Sequence, residues 1–184
     1  MLEIVLNKCS KSFGNKKVLK NINFEIKTNE KVSLIGQNGS GKTTILKMIA
    51  KEEDPTSGDI FIRKDASIGI LTQQPDPKLN DFYVEAILYS SFAEINKLHE
   101  KLKLEEERML SSTDKELEKS ILKYTRLQEE YISLGGYEIN SKVDKIVSAF
   151  KVQSLLDKKY KSLSGGEKTI INLICILLRE PDIL

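Results

Sequence analysis

One short run constrains this chain more than any other: "GQNGSGKTT", Gly36 to Thr44. It satisfies G-x-x-x-x-G-K-[ST]. It follows the apolar segment "KVSLI" and precedes a stretch in which Ile45, Leu46 and Ile49 gather on one side of a helix. Strand, glycine loop and helix in that order make the string a phosphate-binding loop. Glycines let the backbone curl until successive N–H groups converge on phosphate oxygens. The helix that follows adds its unpaired N-terminal donors and the positive end of its dipole. In this arrangement Gly36, Gln37, Asn38, Gly39, Ser40 and Gly41 form the cradle, and Lys42 is the catalytic cation that reaches the β- and γ-phosphates. The Thr43 hydroxyl is placed to ligate Mg²⁺, with Thr44 beside the phosphates. The expected ligand is a nucleoside triphosphate with Mg²⁺, in an α/β fold.

The residues before position 76 are strand-rich. Period-two alternation and apolar runs predict strands at 2–6, 22–26, 31–35, 59–62 and 67–71, of which Ile22, Phe24 and Ile26 form the clearest alternation. One helix, from about Lys42 to Lys51, interrupts them, and "DPTSG" closes it with a proline and a glycine. Between 84 and 134 the character changes. Charges become dense, and apolar residues recur at Leu88, Phe92, Ile95, Leu98, Leu102 and Met109, then at Leu117, Ile121, Tyr124, Leu127, Tyr131 and Leu134. Thr113 followed three residues later by Glu116 fits a capping box, so a second helix is expected to start there. "LGGY", Leu134 to Tyr137, supplies its glycine stop. Two such helices form an antiparallel hairpin, each roughly 30–35 Å long at 1.5 Å per residue. Three regions result: a nucleotide-binding core at 1–83, a helical hairpin at 84–134, and a helical region at 135–184.

Bulk composition narrows the remaining classes. Lys and Arg number 29 against 27 Asp and Glu, a net charge of +2 that points to no particular partner. No run has the apolar length of a membrane span, and "MLEIVLNKCSKSF" lacks the core of a secretory signal, so a cytoplasmic location is expected. Cys9 and Cys175, far apart in sequence, read as ordinary reduced thiols. His99, the only histidine, reads as a solvated helix residue.

A second motif, "LSGGE", spans Leu163 to Glu167. Ser164 can cap the helix that follows, and Gly165 and Gly166 permit close backbone approach, leaving another bare helix N-terminus for anionic oxygens. With the phosphate loop upstream, the chain resembles the ATP-binding cassette (ABC) family over essentially its whole length. "LSGGE" looks like that family's signature, with Glu in the fifth place where many transporters carry Gln. The resemblance implies a P-loop NTPase fold and a head-to-tail pair of cassettes, in which Ser164, Gly165 and Gly166 close over the γ-phosphate held by a second cassette. It assigns Phe13 in "KSFGNKKVL" to stacking on adenine. It assigns Gln73 in "IGILTQQPD" to contacts with Mg²⁺ and the attacking water, with Gln74 an adjacent competitor.

The long interval between Gln73 and Ser164, the "LGGYE" ending, and Glu167 followed by Lys168 resemble the ABC-F subfamily. Its members carry two cassettes on one chain and no membrane domain. They bind the ribosome near the tRNA exit region, as translation factors or as protectors against antibiotics. That resemblance makes 84–134 an arm onto ribosomal RNA, tRNA or protein. Other readings are a transporter's nucleotide-binding domain, a chromosome-maintenance-type ATPase and a non-catalytic fragment. The family's Asp-Glu strand and switch histidine are not found before Leu184. Asp182 lies in the turn ahead of that strand. The core sheet is therefore expected to be incomplete, and the fragment to bind ATP without turning it over.

Overall fold

A computed structural model describes all residues except Gln73, Gln74 and Ser112, and the side chain of Asp114. Contacts divide the chain into two compact units, Met1–Ile70 with Pro181–Leu184, and Leu71–Glu180.

The first unit is built on a three-stranded antiparallel sheet of order β2-β1-β3, with β1 at Leu2–Phe13, β2 at Lys16–Lys27 and β3 at Ser57–Ile62. The strands expected at 2–6 and 22–26 are thus pieces of one long hairpin, turned at Gly14 with φ +55°. Alternation in β1 breaks after Leu6, where Lys8 takes φ +49° and the register shifts, so that Cys9 faces Ile22 and is fully buried with Ile4 and Leu6. Such a bulge re-aims every side chain after it. Gly58 of β3 packs on it so closely that a Cβ there would lie 2.3 Å from the Lys8 carbonyl oxygen. Helix α1, Lys42–Ile49, buries Ile45, Met48 and Ile49 against Ile4, Leu6, Cys9 and Leu19.

Two expected strands are corrected. Segment 31–35 forms none, and Val32, Leu34 and Ile35 are exposed. An apolar run becomes a strand only when a neighbour pairs with its backbone, and none of the described residues does so here. Segment 67–71 is reduced to a single parallel bridge, Ile68 with Ile183. Around it the Asp182 carboxylate accepts from the Ser67 amide at 2.9 Å, the Ser67 hydroxyl at 2.7 Å and the Arg63 guanidinium at 2.7 Å. Arg63 also holds Glu3 at 2.7 Å. These contacts hold the carboxyls of Asp182 and Glu3 below their ordinary range, the first chiefly through the Ser67 amide and the second chiefly through Arg63.

The second unit is helical. Its core joins Val84, Ile87 and Leu88 of α2 (Val84–Tyr89), Val143 and Val147 of α5 (Ile139–Phe150), and Ile171 and Ile174 of α6 (Gly165–Leu178) around Tyr160. The first hairpin helix is therefore interrupted: α2 belongs to the core, a 3-10 turn covers Ser90–Phe92, and the hairpin proper is α3, Ala93–Ser111, against α4, Asp114–Ser133. Leu98, Leu102 and Tyr131 close its base. Further out, Glu105 is buried and binds Lys123 and, at 2.6 Å, Arg108. Thr113 does stand at the N-cap of α4, yet its side chain makes no capping bond. Gly135, at φ +73°, follows the last turn of α4 as expected. His99 is exposed, with its ring stacked on Tyr131.

Candidate nucleotide-binding site

Residues 36–40 form an exposed loop that runs into α1. Gly39 and Gly41 take φ +84° and +93°, conformations that curl the backbone and that L side chains avoid. Gly41 is constrained twice, because a Cβ there would lie 2.6 Å from the Leu19 side chain on β2. Gly36 is crowded by Ser40 at 2.8 Å, so the first glycine lets the loop close on itself. The Lys42 ammonium folds into the loop and donates to the carbonyls of Gly36 at 2.7 Å and Gln37 at 2.8 Å. The start of α1 has neither a side-chain cap nor an acidic residue in its first turn. Neither the cap nor the first turn thus supplies an anion to its first N–H groups and dipole. An inward cation, positive-φ glycines and an uncapped helix start fit the phosphates of a nucleotide. Thr43 is exposed and Thr44 half-buried on the first turn, positions from which the Thr43 hydroxyl can serve a phosphate-bound cation.

At the end of β1, Phe13 stands 47% exposed, an open ring and not a core aromatic. Lys11 lies over it at 5.1 Å from the ring centroid. Sequence reasoning passed over Lys11; its two-residue spacing from Phe13 along one strand was the available signal. Gln73 and Gln74 fall outside the described residues.

In the second unit, Ser164 caps α6 in a complete capping box. Its hydroxyl accepts from the Glu167 amide at 3.3 Å, and its own amide donates to the Glu167 carboxylate at 2.7 Å. The amide bond holds the Glu167 carboxyl below its usual range. Lys168 lies 5.5 Å over the ring of Tyr160, whose hydroxyl donates to Asn172, so the first turn of α6 is anchored from below. Gly165 and Gly166 are different from the loop glycines. Neither has a positive φ, and a Cβ at either would meet nothing within 4 Å. The space over these two glycines is open, but the start of α6 is not the bare helix N-terminus expected, because Ser164 and the Glu167 carboxylate cap it.

Comparison with known proteins accords with this geometry. A family model described as "ABC transporter" matches residues 19–184. The chain is 33% identical to the putative ATP-binding protein YdiF of Bacillus subtilis (strain 168), over all of this chain and 29% of that protein. It is 28% identical to the tylosin resistance ATP-binding protein TlrC of Streptomyces fradiae, over 99% of this chain and 33% of that one. It is 27% identical to the energy-dependent translational throttle protein EttA of Mycobacterium tuberculosis (strain H37Rv), over 97% of this chain and 31% of that one. The chain thus spans about a third of the length of these relatives. A solved ATP-binding subunit of an ABC transporter superposes with a TM-score of 0.67 at 18% identity, over 97% of this chain and 63% of that chain, which establishes the fold. Among the described residues no helix is long and apolar enough to cross a membrane.

Proposed function

The chain belongs to the ABC transporter family, and from that premise we propose that it is the nucleotide-gripping part of an ABC-F cassette, binding Mg²⁺ and ATP in the cytoplasm and working on the ribosome. The carrying observation is the phosphate loop, with Lys42 turned inward between two positive-φ glycines and the uncapped start of α1. When bound, the triphosphate with its Mg²⁺ supplies the hydrolysable anhydride bond. The chain's own residues bind and orient it: Lys42 exchanges its loop carbonyls for phosphate oxygens, Thr43 faces the cation, Phe13 offers a ring to the base, and Gln73 is assigned to the water side.

Ser164, Gly165 and Gly166 form a second phosphate-facing surface, for the γ-phosphate on another cassette. The open space over both glycines supports this. None of the described residues requires glycine there, whereas a close-approaching phosphate does. The ribosome reading rests on the hairpin of α3 and α4 inserted ahead of the signature, and on relatives named for translational throttling and tylosin resistance. A phosphate-tracking hairpin would use Lys97, Lys101, Lys103, Arg108, Lys119, Lys123 and Arg126, of which Arg108 and Lys123 already bind Glu105, with binding weakened by salt. The rival reading is a transporter's nucleotide-binding domain, in keeping with the description of the matching family model. One experiment separates the two: replace residues 93–133 by a short Gly-Ser linker in the full-length parent protein, then measure ATP binding and co-sedimentation with ribosomes. Retained nucleotide binding with lost ribosome association is expected. Ribosome association that survives the deletion refutes the arm.

A further inference from the structure

The Lys11 side chain, two residues before Phe13 on β1, is only 12% exposed. Its ammonium lies 2.8 Å from a Glu53 carboxylate oxygen and donates to the Asp54 carbonyl at 2.6 Å. Two of its three N–H groups are thereby engaged, and the Phe13 ring, at 5.1 Å, is its remaining neighbour. Glu53 and Asp54 belong to the loop leaving α1, the helix whose other end opens the phosphate cradle. Lys11 therefore ties the ring to the element that would hold the phosphates.

We propose that Lys11 is a positioning residue for base recognition: clamped by Glu53 and Asp54, it covers one face of Phe13 and leaves the opposite face as the platform for a purine base. This rests on the nucleotide reading above and adds the residue that selects the face. Two physical effects act together. The cation occupies one face, so the base has a single docking surface. It also draws on the ring's π charge. Direct stacking of two aromatic faces is opposed by their like quadrupoles. A cation behind the ring lowers that repulsion on the side that meets the base.

The test uses calorimetric titration of the purified chain with Mg-ATP and, as a phosphate-only probe, magnesium tripolyphosphate. Lys11→Met should weaken ATP binding about three- to tenfold while tripolyphosphate binding stays within about twofold. Lys11→Arg, which keeps the cation, should retain the preference for ATP. In a Phe13→Leu background, Lys11→Met should add nothing. An equal loss for both probes, an unchanged preference in Lys11→Met, or a loss that persists without the ring each overturns the proposal. Should circular dichroism show Lys11→Met unfolded, Lys11→Arg decides, because loss of its ATP preference overturns the role. If Phe13→Leu itself keeps the full preference for ATP, base stacking fails and the Lys11 role falls with it. A sensitive Phe13→Leu beside an insensitive Lys11→Met refutes Lys11 alone.

Discussion

Lys42 and Gly41 adjoin in sequence and do opposite jobs. The lysine brings a charge into a ring of carbonyls at 2.7 and 2.8 Å, where phosphate oxygens are better partners. Lys42→Ala should therefore lower affinity for Mg-ATP about ten- to a hundredfold, the worth of one or two charged hydrogen bonds, with the melting temperature little changed. Calorimetric titration beside thermal denaturation checks both halves. Gly41 is structural: at φ +93°, with Leu19 2.6 Å from where a Cβ would be, Gly41→Ala should cost about 2–4 kcal/mol, read from denaturant unfolding. Both roles are legible in "GSGKTT", because the loop's hydrogen bonds join residues within six positions of one another. The Lys11 clamp is not legible in the same way, since its Asp54 partner is 43 positions away. No local pattern announces such a contact.

At the scale of elements, the Ser164 cap was readable, while the box expected at Thr113 does not form and the interruption of the first hairpin helix was not foreseen. Ser164 caps α6 as expected, because a cap satisfies donors one turn away, and Glu167 completes the box. The split between α2 and α3 escaped the periodicity of 84–109. Apolar residues at helical spacing run straight through Phe92, and only the burial of Val84, Ile87 and Leu88 in a different core separates them. The end of α4 carries a further device. Tyr131 donates its hydroxyl to the Gly136 carbonyl at 2.9 Å, and its ring covers Gly136 so closely that a Cβ there would lie 2.3 Å from it. Tyr137 meets the same ring edge-on at 5.1 Å. Gly136→Ala should displace the ring and cost about 1–3 kcal/mol, with a changed near-ultraviolet signal from the tyrosines. Thermal unfolding of the variant against Gly135→Asn, which tolerates the positive φ at its own site, isolates the packing effect.

At the scale of the whole chain, an ionic chain in the first unit runs from Glu3 through Arg63 to Asp182, across 60 and 119 positions. Both carboxyls are held below their ordinary values. The unfolded chain therefore takes up protons at higher pH than the folded one, so this contribution is full above an unfolded pKa of about 4 and is lost as pH falls through the folded values. The melting temperature should decline as pH drops below about 5, and Arg63→Met should flatten that decline. An equally steep decline in Arg63→Met would locate the acid sensitivity elsewhere. The sequence by itself determined what short-range geometry can encode: the curled glycine loop ahead of α1, the α6 cap, the glycine stop after α4 and the paired hairpin helices. Tertiary structure alone decided which strands exist. Residues 31–35 have the composition of a strand and no partner, while Ile68 meets Ile183 across 115 positions. A helix closes its hydrogen bonds within itself, four residues at a time. A strand closes them only on a neighbour, and the neighbour's identity is written elsewhere in the chain.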